Sequence, residues 1–228
     1  AGALVKIVPV LLLPAAGLLA LQRLGPWRAR LRFAFGSGAA ALALAGLIYL
    51  PLWRGPATLT FLQRKAMFTT SLPAALWAAL APRWGTERVG AAVGLAAWAL
   101  VGAFALRQAW RARRDPSWQA FPRAAYSILL FYLLAACPWF KEWYAVWPLA
   151  LAAVIPSGRP LATATILAYA AQAQPLLFWP VWFQGGDAPG TVRELRLGPA
   201  VMALPLAHLA GRWLEERLRG APAEERPP

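Results

Sequence analysis

Long apolar stretches alternate along this chain with short clusters of arginine, proline and tryptophan. Seven such stretches can be drawn: Leu4–Leu21, Phe33–Trp53, Val89–Leu106, Ala124–Trp139, Trp143–Ile155, Leu161–Trp182 and Leu197–Leu214. None shows the apolar–polar alternation of a barrel strand, and alanine and glycine run throughout. Each is read as a spanning helix, for which about 20 largely apolar residues suffice. The internal prolines, Pro9, Pro14, Pro175, Pro180 and Pro205, fit this reading, because neighbouring helices satisfy the carbonyls that proline frees. The expected fold class is all-α, a polytopic membrane protein with about seven transmembrane helices. An eighth helix is expected in the long connection from Arg54 to Arg88. There Leu72–Leu80, with Trp77, has the character of a helix lying at the membrane boundary.

Composition supports the class. Sixty per cent of the 228 residues are hydrophobic, 14% are charged and the mean hydropathy is +0.49. A soluble domain has roughly 45–50% apolar and about 25% charged residues. Residues 1–220 therefore read as one helical transmembrane domain, and 221–228 as a disordered polar tail rich in proline. The chain begins AGALVKIVPV without a methionine, and Gln22 and Arg23 do not make a secretory cleavage site. The expectation is the C-terminal part of a longer protein.

The net charge of +14 would suggest nucleic acid in a soluble protein. Here the basic residues cluster between apolar segments, so no nucleic-acid partner is expected; membrane orientation and anionic lipid account for them. A single cysteine, Cys137, forms no internal disulfide, and a single histidine, His208, excludes a multi-histidine metal site. No metal and no cofactor are expected.

Sidedness follows from lysine and arginine. Counting connections alternately, one side takes Arg23, Arg28, Arg30 and Arg32, then Arg107, Arg111, Arg113, Arg114 and Arg123, then Arg159, and finally Arg212, Arg217, Arg219 and Arg226. The other side takes Lys6, Arg54, Arg64, Lys65, Arg83, Arg88, Lys141, Arg193 and Arg196. The richer side is expected to be cytoplasmic, together with the C-terminus.

That topology places Cys137–Pro156, CPWFKEWYAVWPLALAAVIP, at the outer face. Lys141 and Glu142 stand there among Trp139, Phe140, Trp143, Tyr144 and Trp147. Charges at the edge of hydrocarbon mark a functional site by default, whereas an aromatic belt with a solvated lysine is the ordinary alternative. Trp143–Ile155 falls short of the roughly 30 Å core when extended as a helix at about 1.5 Å per residue. Either a tilted helix starts earlier, or the WFKEWY segment is irregular backbone shielded by protein or a cavity. Lys6 and the pair Arg64/Lys65 add cations to the same face, suited to a phosphate near the membrane surface. Across the link Pro156–Pro160, two adjacent antiparallel helices are expected. The second carries Tyr169 and Gln172 on one face, placed to bond to a neighbouring helix.

The pattern Trp143-Tyr144-x-x-Trp147-Pro148-Leu149-Ala150-Leu151-Ala152 resembles the late motif of bacterial polyprenol-phosphate-mannose-dependent mannosyltransferases, members of the GT-C superfamily. The opening Lys6-x-x-Pro9 with Leu11–Pro14, a basic loop and a helix ending near Pro51 is similar too. The resemblance implies a multi-pass protein of the bacterial inner membrane that transfers a sugar, with inversion, from a polyprenyl-phosphate donor to an acceptor on the outer face. Lys6, Arg64, Lys65 and Lys141 would hold the donor phosphate. Trp143 and Tyr144 would face the sugar or prenyl chain, and Glu142 would pair with Lys141 or bind a sugar hydroxyl. The family's general base is an acid in the first outer loop, ahead of the matched region. The outer-face acids here, Glu87, Glu142, Asp187 and Glu194, do not sit in a matching context. No catalytic residue is assigned. The alternative is a non-catalytic accessory subunit, with faces such as Gly90, Gly94, Trp98 and Gly102 packing against partner membrane subunits. Transporter-like internal repeats are not found.

Overall fold

The computed structural model describes residues 11–53, 55, 68, 70–115, 117–176 and 190–218. Every regular element among them is helical. Eight α-helices follow in order: α1 (Leu13–Arg23), α2 (Trp27–Tyr49), α3 (Leu72–Trp84), α4 (Thr86–Ala112), α5 (Ala120–Phe131), α6 (Val146–Ala153), α7 (Gly158–Gln172) and α8 (Gly190–Leu218).

Among the described residues two helices are long and apolar enough to cross a membrane: residues Trp27–Ile48 within α2, and α4. The apolar run Ala120–Ala136 is shorter. Leu197–Leu214 lies within the 29 residues of α8, while the described parts of the other stretches form shorter helices. Trp143–Ile155 yields only the eight residues of α6 after a 3₁₀ turn, and Leu161–Trp182 is helical from Gly158 to Gln172.

The helices assemble through small residues. α4 buries Val89, Val93, Ala97, Val101, Ala105 and Ala109, one every fourth position, so a single ridge of valine and alanine faces α1, α3 and α5. Its larger side chains point away: Leu95 is 73% exposed, and Leu100, Leu106 and Trp110 are exposed with it. Small residues inside and large apolar ones outside is the packing of helices in lipid, where close backbone approach drives association. α3 shows the same preference, burying Pro73, Ala74, Ala78 and Ala81 against α4 and α8 while Leu76 and Trp84 point outward. It is the helix expected in the long connection, continued to Trp84 and wedged between its neighbours.

Glycine decides one of these contacts. A Cβ on Gly198 of α8 would lie 2.6 Å from the Ser71 carbonyl oxygen and 2.8 Å from its nitrogen. The α3–α8 seam therefore closes backbone to backbone. α6 and α7 pack together across the Pro156–Pro160 link, as its length requires. Tyr169 is exposed on α7 and does not reach a neighbouring helix. α2 stands apart, with none of its membrane-length window buried, and Phe35, Leu42 and Leu47 lie open along its length.

Candidate functional site

The central stretch owes its shape to Pro138. α5 continues into a π-turn over Tyr132–Ala136, closed by the Cys137 N–H donating to the Tyr132 carbonyl at 2.6 Å. Proline lacks an N–H and disfavours helix in the residue before it, and Cys137 is accordingly extended, with φ −70° and ψ 114°. The backbone from Pro138 to Lys141 is non-helical, and Glu142–Ala145 forms the 3₁₀ turn that leads into α6. The alternative of irregular backbone shielded by protein is thus the one found. Trp139, Trp143 and Trp147 do not share one helix face, because no helix runs through them.

The irregular turn is clamped from two sides. Ser71 caps α3 by accepting from the Ala74 N–H at 3.1 Å, and its hydroxyl donates to the Pro138 carbonyl at 3.1 Å. Ser71 follows Thr70, a fully buried β-branched residue at φ +49°, where side chains are rarely tolerated. On the other side the Cys137 thiol donates to the Trp139 carbonyl at 3.2 Å. Phe140 is wholly buried, and Tyr144 meets it edge-on at 6.5 Å. The far face of Tyr144 stacks on Trp147 at 4.6 Å. These contacts hold the turn on a rigid aromatic base.

Lys141 is the side chain that base presents. It is half-buried and extended at the start of the 3₁₀ turn, and its carbonyl accepts from the Tyr144 N–H at 2.9 Å. Its ammonium lies 5.7 Å from the Trp139 ring centre and 5.8 Å from that of Trp143. Each such contact contributes about 0.5–1 kcal/mol at an exposed position and more as water is removed. Glu142 does not pair with Lys141: among the described residues its carboxylate makes neither an ion pair nor a hydrogen bond. Adjacent residues at the start of a 3₁₀ turn diverge, and the lysine is drawn to the two indoles. The ammonium keeps its three donors for an incoming anion, and the half-buried Glu142 carboxylate beside it keeps its acceptors.

Of the residues expected to bind substrate, Lys141, Glu142, Trp143 and Tyr144 form this one turn. Trp143 is 53% exposed and offers an open indole face, whereas Tyr144 is turned inward and acts as a wall. Lys6, Arg64 and Lys65 lie outside the described residues, as does the tail expected to be disordered. Glu87 sits in the first turn of α4, Asp187 lies outside the described residues, and nothing is described of the Glu194 side chain. Trp139 and Phe140 were expected as neighbours of Lys141 without a binding role, and Ser71 was not singled out by sequence. Trp139 carries a signal in its spacing of four from Trp143, but the partnership with Ser71 spans 67 residues and leaves none. Among the described residues no group of His, Cys, Asp and Glu is arranged to hold a metal ion. Comparison with protein-family models, with curated proteins and with solved structures gives no match.

Proposed function

We propose that the chain is the multi-pass membrane portion of a glycosyltransferase that uses a polyprenyl-phosphate sugar, mannose in the family it resembles, as donor. In this reading Lys141 neutralises the donor phosphate and stabilises it as it departs from the sugar, a role in which a preplaced cation counts most. Trp143 lies against the sugar or the first prenyl units, and Glu142 accepts from a sugar hydroxyl. Lys6, Arg64 and Lys65 add charge on the same outer face, with the arginine-rich loops and the C-terminus cytoplasmic. No acid of this chain is assigned as the general base. The supporting observation is the Lys141 ammonium, held by two indoles and without a carboxylate partner among the described residues, on an irregular turn between apolar helices. Structural lysines at such depth ordinarily pair or reach water.

The test is direct. Lys141→Ala is expected to weaken binding of a short-chain prenyl-phosphate mannose about tenfold or more, the loss of one charge-assisted contact, while Lys141→Arg retains most of it. Titration of the chain in phosphatidylcholine nanodiscs measures this, and equal affinity for all three proteins removes Lys141 from the site. One observation favours the second reading, an accessory subunit of a larger membrane assembly: α2 has no partner helix among the described residues.

A further inference from the structure

The other end of the bundle holds a cavity that the proposed donor site leaves unused. It has a volume of about 790 Å³ and lies between α4, α5, α7 and α8. That is within the range of roughly 300–1,000 Å³ found for small-molecule sites. Its arginine rim stands away from Lys141: from Arg123 to Ala136 the helical run rises about 20 Å at 1.5 Å per residue, and the cavity's inner end reaches Leu134 and Ala135 along it. α7 likewise begins at the cavity with Arg159 and packs against the Glu142–Ala145 turn along its length.

The lining is graded. At the surface stand Arg123, Arg159 and Arg212, from three different helices, with Ser157 and Gln108, and no carboxylate lines the cavity. Deeper in are Phe104, Leu130, Phe131, Leu134 and Leu209. Phe104 and Phe131 stack at 4.3 Å, making a flat apolar wall. The floor between the two parts is tied by the Tyr126 hydroxyl, which donates to the Pro160 carbonyl at 3.0 Å and fixes α5 to the start of α7. The first turn of α7 receives no capping side chain, so its N–H groups add positive potential at the same rim.

Two carboxylates lie just outside. Glu216 is 3.4 Å from Arg159 and 3.1 Å from Arg212, and Asp115 is 3.7 Å from Arg123. The Ser117 hydroxyl and backbone N–H hold the Asp115 carboxyl below the usual carboxylate range, so it stays ionised. Each guanidinium carries five donors, and these contacts leave several of them directed elsewhere. The rim keeps an excess of one positive charge over its carboxylates, next to a pocket of hydrocarbon character.

We propose that this cavity binds a phosphate-bearing amphiphile, with the phosphate between Arg123, Arg159 and Arg212 and the tail along Phe104, Phe131 and Leu134. A guanidinium cluster suits a phosphate because each fork gives two parallel donors. The apolar depth excludes a purely inorganic ligand as the best fit. The same chemistry is shared by an acidic membrane phospholipid and a prenyl-phosphate carrier, and affinity separates the two.

The experiment titrates dihexanoyl phosphatidic acid, a short prenyl phosphate, dihexanoyl phosphatidylcholine and inorganic phosphate into the full chain in phosphatidylcholine nanodiscs. One or both of the first two bind, and the tighter identifies the source. The double variant R123Q/R159Q weakens that binding about tenfold or more, as each lost charge-assisted contact predicts. Both side chains are more than half exposed, so the variant folds, which its melting temperature checks. Glu216→Gln tightens binding by removing the competing carboxylate. Arg28→Gln, which removes a charge from α2 outside the cavity, changes it by less than about twofold, as screened distant charges do. Three results overturn the proposal: equal losses in Arg28→Gln and R123Q/R159Q, no loss in the double variant, or inorganic phosphate binding as tightly as the amphiphiles.

Discussion

Phe140→Ala is expected to destabilise the chain by about 3–5 kcal/mol, the range for deleting a large, fully buried aromatic side chain. Phe140 has no exposed surface and is the largest of the wholly buried side chains. It supports the edge of Tyr144, which in turn stacks on Trp147. Its loss leaves a cavity under backbone that is non-helical from Pro138 to Lys141, so the surroundings have little regular structure to hold them in place. Two readouts are expected to move together. The melting temperature in detergent falls, and the Lys141 ammonium loses its fixed position between Trp139 and Trp143. Trp143→Ala, at an exposed position in the same turn, is expected to leave the melting temperature within a degree or two while removing one of the two indoles. If Phe140→Ala melts like the unaltered chain, the turn does not rest on it.

The second large effect comes from the smallest substitution. Gly198→Ala is expected to destabilise by about 1–3 kcal/mol, the ordinary range for overpacking, although alanine is the better helix former. The added methyl meets three backbone atoms of Ser71, the farthest at 3.1 Å, and backbone cannot rotate out of the way. α8 must move off α3, and Ser71 then loses its hold on the Pro138 carbonyl, the clamp on the candidate site. Gly94→Ala is the matched control. Its Cβ would meet nothing within 4 Å, and it is expected to be neutral or slightly stabilising. Equal melting of the two variants contradicts the close α3–α8 seam.

Much of the fold was legible because apolar helices show their character locally. Continuous apolarity without alternation predicted an all-helical chain, and the shortness of Trp143–Ile155 left two choices at WFKEWY, a tilted helix or irregular backbone, of which the second is found. Pro138 is a local cause with a local effect. What the sequence could not convey is partnership. Ser71 reaches Pro138, and Gly198 meets Ser71, across separations that no periodicity encodes. Pairing with Lys141 was one of two roles expected for Glu142, and neighbours in sequence are easily imagined as neighbours in space. The backbone turns them apart, and two tryptophans hold the lysine instead. The cavity at the arginine-rich end was invisible for the same reason. Arg123, Arg159 and Arg212 each read as an ordinary cytoplasmic arginine, and only the packing of three helices brings them to one rim. Seven spans were expected, whereas among the described residues two helices have the length and apolarity to cross. Pro138 ends one of the others and Trp143–Ile155 keeps only the eight residues of α6, whereas Leu197–Leu214 is continuous helix within α8, a helix that also carries several charged residues.

The central claim is that the turn bearing Lys141 receives a lipid-linked sugar phosphate. A prenyl-phosphate mannose carrying a photoactivatable group in its first prenyl unit tests it most directly, through irradiation in nanodiscs, proteolysis and mass-spectrometric mapping of the adducts. Labelling is expected on the peptide containing Trp139, Lys141 and Trp143, suppressed by excess unlabelled donor and reduced by Lys141→Ala. Adducts spread along the exposed flank of α2, or confined to the Arg123–Arg212 cavity with none on the Lys141 turn, would contradict it.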